Sequence, residues 1–79
     1  MIEQIPVSFR NVDDVNKFVN IISKYEADFD LYCGNYCVDA KSVLGILTMD
    51  LRNKMLLRGN CDTADKKDLE SKLRSCALV

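Results

Sequence analysis

The chain reads as a small two-layer α+β sandwich, and three observations predict this. Segments of alternating apolar and polar residues are interleaved with segments of three-and-four apolar spacing, in the order βαββαβα. A Gly34-Asn35 pair between two alternating runs marks a tight hairpin, so neighbouring strands pair antiparallel. The 79 residues suffice for a single domain, residues 1–79, whose core is thin and whose helices cover one face of a four-stranded sheet.

Strand one runs from Ile2 to Phe9, with Ile5, Val7 and Phe9 on one face and Pro6 and Ser8 on the other. Proline cannot donate to a ladder, so this strand belongs at an edge. Asn11 caps the first helix, and Asp13 and Asp14 lie in its first turn, where the helix dipole favours negative charge. Val12, Val15, Phe18, Val19 and Ile22 form its apolar stripe, and the helix is expected to end near Lys24 or Tyr25. Asp28 to Cys33 and Tyr36 to Asp39 are the hairpin strands. Phe29, Leu31 and Val38 point to the core, and Tyr32 and Tyr36 to the exposed face or the turn.

A second helix is expected from Ser42 to Leu51 or Arg52. Its apolar residues Val43, Leu44, Ile46, Leu47, Met49 and Leu51 span a wider arc than one buried face needs. Some of them should therefore reach solvent as a partner surface, unless the helix is buried on both sides. Met55 to Cys61 is the last strand, weakened by Gly59 and Asn60. Asp62 to Asp65 supply caps for a final helix striped by Leu69, Leu73 and Cys76.

The composition narrows the function. Hydrophobic residues make up 48% of the chain, so disorder is not expected. The net charge is -1 and no face is obviously basic, which argues against nucleic acid or an anionic membrane as the main partner. Met1 to Pro6 lack the pattern of a signal peptide, and no apolar run approaches the roughly 18 residues that span a bilayer. The expected location is the cytoplasm. Cys33, Cys37, Cys61 and Cys76 fit free thiols in a reducing compartment better than a disulfide framework. The Cys33-x-x-x-Cys37 spacing and the absence of histidine give no metal site, and no cofactor motif is present.

The segment Lys41-Ser42-Val43-Leu44-Gly45-Ile46-Leu47 resembles the regulatory-serine segment of the HPr family, the small phosphocarriers of the bacterial phosphotransferase system. Phe18-Val19 in helix one and the Gly34-Asn35 turn fit the same family, and the resemblance extends to about Leu73. It implies an open-faced sandwich with sheet order 1-4-2-3 and no enzymatic activity of its own.

The family places a phosphoryl-accepting histidine, in a His-x-Arg-Pro motif, at the start of helix one. Counting back seven residues from Phe18, Asn11 stands in the histidine position and Asp13 in the arginine position. An amide is not a nucleophile that could carry a labile phosphate, and Asp13 would repel one. The loop before the helix is also shorter than the family's. Carriage on histidine is therefore excluded. By resemblance Ser42 is the residue that a dedicated HPr kinase phosphorylates. Without the resemblance it is simply a helix cap. By the same resemblance Val43, Leu44 and Leu47 form the surface that meets the kinase, enzyme I or a transcriptional regulator.

Catabolite-repression HPr proteins are a precedent for a histidine-less, regulatory relative. The expected function is a regulatory or adaptor module switched at Ser42. One alternative is an interaction domain that keeps only the fold. Another is a carrier using Cys33 or Cys61, although neither is flanked by a basic cluster that would lower a thiol pKa. A monomer or a weak homodimer is compatible with the exposed edge strand and apolar patch.

Overall fold

The computed structural model describes residues 2–79. Seven elements follow in the expected order: β1 (Ile2–Val7), α1 (Val12–Ile22), β2 (Phe29–Cys33), β3 (Tyr36–Asp39), α2 (Val43–Ile46), β4 (Met55–Asn60) and α3 (Thr63–Ser75). The strands form one antiparallel sheet in the order β1-β4-β2-β3. Pro6 thus sits on an edge strand, where its missing N–H costs no ladder bond.

The three helices lie on one face of the sheet. Ile5, Val7, Phe29, Leu31, Met55 and Leu57 bury their side chains under Val15, Phe18, Ile22, Ile46, Leu69 and Leu73. Phe9 leaves β1 early and stays buried, its ring edge-on to Phe18 at 5.1 Å. The strand ends at Val7 rather than Phe9 because the Ser8 N–H donates to Leu78 O (2.8 Å) beyond the last helix.

α1 stops at Ile22, short of Tyr25. The chain turns there, so the Tyr25 ring packs edge-on against Phe29 and its hydroxyl donates to Asp68 at 2.5 Å. The hairpin turn puts only Gly34 at positive φ (59°), as a type II′ turn with glycine first requires. Tyr36 is exposed, but its pairing with Cys33 places it on the helix-bearing side of the sheet. Tyr32 is half-buried on the open side.

The expected second helix is the largest departure. The apolar pattern predicts a helix from Ser42 to Leu51 or Arg52, and only Val43–Ile46 is helical. A continuous helix would put Leu51 about 140° around the axis from the buried Ile46. The chain instead tightens through Thr48 N–H to Gly45 O (3.2 Å) and Met49 N–H to Ile46 O (3.0 Å). Asp50 then turns it by accepting from Arg52 N–H at 3.0 Å. Met49 and Leu51 pack against the core from this turn.

Gly59 does more than weaken β4. It pairs with Phe29 across the sheet, and a Cβ there would meet Phe29 Cδ1 at 2.2 Å. The missing side chain is the space the ring occupies. Gly59→Ala should therefore destabilise the fold by about 1–3 kcal/mol through overpacking. Thermal unfolding checks this, at about 4–8 °C of Tm per kcal/mol for a domain of this size.

α3 ends in a Schellman motif. Leu78 N–H donates to Leu73 O and Ala77 N–H to Arg74 O, both at 3.0 Å, and Ala77 takes φ 59°. A left-handed alanine costs about 1 kcal/mol that glycine does not. Ala77→Gly should raise the Tm by a few degrees in the same melts.

Candidate functional site

Two places carry chemistry in the sequence reading: the start of α1 and the segment around α2. At the start of α1, Asn11 has extended backbone (φ -161°) and its Oδ1 accepts from Asp14 N–H at 3.0 Å. It is a helix cap, as expected. Asp13 is exposed beside it. The dominant feature here is Arg10, which the sequence reading passed over.

Arg10 closes on Asp14 from three directions. Its backbone N–H and its Nε both donate to Asp14 Oδ2 at 2.9 Å, and Nη2 donates to Oδ1 at 3.3 Å. Nη2 also reaches Cys76 O at 3.3 Å, at the C-terminus of α3. The Asp14 side chain is 3% exposed and that of Arg10 is 63% exposed. The i,i+4 spacing of opposite charges was the signal available in the sequence. Hydrogen bonds from the Arg10 side chain and backbone hold the Asp14 carboxyl below its usual range, and the same bond raises Arg10. The positive end of α1 thus already holds a carboxylate of its own chain, with a guanidinium on it.

At the second place, Ser42 Oγ accepts from Gly45 N–H at 3.1 Å and caps the four-residue α2. Ser42 is half-buried. The ammonium of its neighbour Lys41 is engaged elsewhere: Nζ donates to Tyr25 O at 2.7 Å and lies 5.7 Å from the centre of the Phe29 ring. Of the three apolar residues read as a partner surface, Leu44 is 80% exposed and Leu47 38%. Val43 is half-buried against the core. The helix is therefore not covered on both sides. The turn after it and the hairpin enclose a hollow of about 200 Å³ lined by Cys33, Tyr36, Thr48, Met49, Asp50 and Asn53. Asp50 is held down to about 2 by hydrogen bonds from Arg52.

Cys33 and Cys61 are half-buried, and Cys33, Cys37 and Cys76 carry free thiols. Among the described residues no three His, Cys, Asp or Glu side chains group as a metal site would require. No described helix is long and apolar enough to cross a membrane.

The comparison with solved structures follows from this architecture. The phosphocarrier protein HPr from Bacillus anthracis superposes with a TM-score of 0.70 at 19% identity, over 91% of this chain and 94% of that one. HPr-C-His from Thermoanaerobacter tengcongensis gives 0.72 at 21%, over 95% and 88%. The histidine-containing phosphocarrier protein of Mycoplasma gives 0.76 at 10%, over 100% and 98%. The fold is that of the HPr phosphocarriers. No protein-family profile and no curated protein sequence matches the chain, and the likeness to HPr is one of fold.

The Arg10–Asp14 pair has a pH signature. Asp14 has a lowered folded-state pKa, so its contribution is complete above the unfolded value of about 3.9 and is lost as pH falls through the folded value. Asp14→Asn removes that contribution. The Tm gap between wild type and variant should be widest above the ordinary carboxylate range and should close as the pH falls through the lowered folded value of Asp14, in melts taken across acid to neutral pH. A gap that stays constant with pH would show that Asp14 acts by packing alone.

Proposed function

We propose that this chain is a regulatory or adaptor module on the HPr fold. In this reading it meets protein partners through the surface of α2 and carries no phosphate on histidine. The observation that supports it most is the pairing of two exposed leucines, Leu44 and Leu47, with a capping serine at the head of the same short helix. Val43 contributes only from its half-buried position.

Several facts favour an adaptor over a carrier. The chain has no histidine, and Asn11, in the position the HPr resemblance assigns to it, spends its side-chain oxygen on the Asp14 N–H. Asp14 brings a negative charge to the helix end where a phosphoryl group would need donors. Asp13 adds a second. No histidine is available at this end of α1 to take up a phosphoryl group.

Phosphorylation at Ser42 is the proposed switch. It would add about -1.5 to -2 of charge beside Leu44 and Leu47, enough to reject an apolar partner or recruit an arginine. By resemblance the modifying enzyme is an HPr kinase, and the readers are enzyme I-like proteins or a transcriptional regulator. A second reading, an interaction domain without the switch, draws support from Lys41. Its ammonium is committed to Tyr25 O.

The test is the intact mass after incubation with HPr kinase and ATP, with Ser42→Ala as control. One added phosphate in the wild type and none in Ser42→Ala is the expected result. An unmodified wild type would leave the plain interaction domain. Incubation with enzyme I and phosphoenolpyruvate should add nothing to either protein.

A further inference from the structure

The sheet has a second face, opposite the helices, and the strand register determines what it presents. One row crosses all four strands: Pro6 pairs with Leu56, Leu56 with Tyr32, and Tyr32 with Cys37. Pro6 and Cys37 are exposed, Leu56 is 40% exposed and Tyr32 is half-buried. This is an apolar stripe with no element of the described residues above it. The next row is polar: Gln4 pairs with Arg58, Arg58 with Asp30, and Asp30 with Asp39.

The charge on that second row is unbalanced. Asp28 and Asp30 are exposed and border the same hollow as Arg58, and Asp30 stands directly opposite the exposed Asp39 on the neighbouring strand, whose Oδ1 accepts from Lys41 N–H at 2.9 Å. Like charges in that relation destabilise a sheet. The Arg58 guanidinium lies over the Tyr32 ring, 5.1 Å from its centre. Its Nε is shielded from solvent and has no hydrogen-bond partner. Such an orphaned donor is unusual and calls for an acceptor. Asp28, Asp30, Tyr32, Arg58, Gly59 and Asn60 border an open hollow of about 210 Å³, large enough for the end of one long side chain.

We propose that this open sheet face docks a protein segment that lays an apolar side chain on Pro6 and Leu56 and places a lysine or arginine in the hollow beside Asp28 and Asp30. Charge complementarity selects this occupant. The carboxylates repel phosphate, which excludes a nucleic-acid backbone or an anionic lipid surface. An apolar segment without a cation would leave the Asp30–Asp39 repulsion in place. The surface lies on the far side of the sheet from Leu44 and Leu47, so it stands apart from the proposed role of α2.

The experiment titrates the isotope-labelled full chain with a heptapeptide of alternating lysine and leucine, and with its glutamate–leucine twin, and reads amide chemical shifts. The basic peptide should cause saturable shifts confined to β1, β2, β3 and β4 positions of the open face. The glutamate twin should cause none. Asp30→Asn and Leu56→Lys replace exposed side chains, so amide dispersion should confirm that both fold. Each should weaken binding about three- to tenfold, and added salt should weaken the wild type further. Equal shifts with both peptides, or shifts centred on α2, would overturn the proposal. So would variants that bind as well as wild type. Concentration-dependent shifts of the same amides without peptide would also overturn it, by showing that a second copy covers the face.

Discussion

The contact on which the molecule turns is the fork of Arg10 on Asp14. It lies where three parts of the chain meet: the exit of β1, the first turn of α1 and the last turn of α3. A carboxylate that is 3% exposed requires hydrogen-bonded compensation, and Arg10 supplies it from backbone and side chain together. The same guanidinium caps a carbonyl at the negative end of α3. The positive end of one helix and the negative end of another are thus served by one ion pair. Nearby, the Ser8–Leu78 bond and the buried Leu78 side chain hold the end of the chain against the first strand. A 79-residue domain has little core to spare, and this polar junction closes the end of the sandwich that its apolar residues leave open.

That junction also bears on function. A helix N-terminus recruits an anion because its first N–H groups lack partners. Here one of those groups, the Asp14 N–H, donates to Asn11, and the Asp14 carboxylate, held by Arg10, places the chain's own anion in the first turn. An external phosphate would have to compete with a carboxylate already in place at effectively unlimited local concentration. The end of α1 thus serves as a structural joint, and in the proposed reading α2 and the bare sheet face are where the molecule meets others.

Much of this was legible in the sequence. Alternation located the first three strands, because side chains along a strand alternate between its two faces. Gly34-Asn35 gave the hairpin, and Asn11, Ser42 and Asp62 gave three caps that the structure confirms as hydrogen-bonded. What escaped depends on partners distant in the chain. The length of α2 was misread because Met49 and Leu51 are apolar, and composition does not say whether they are buried by a helix or by a turn. Gly59 looked like a weak point until Phe29 was seen to fill its place. The register that aligns Pro6, Leu56, Tyr32 and Cys37 is likewise a pairing property, which no one strand contains.

If α1 cannot change its charge state, any switching in this fold must come from a surface whose charge can change. α2 meets that condition poorly on helix grounds, since four residues generate little dipole and Lys41 is committed elsewhere. It meets it better on surface grounds. A phosphate on Ser42 would stand beside Leu44, the most exposed of the large apolar side chains, and would act on a docked partner rather than on the helix. The consequence is directional. A switch built this way leaves the fold unchanged and alters only which surface a partner accepts, a role that needs a rigid scaffold with its own helix ends already neutralised. The Arg10–Asp14 junction supplies that scaffold.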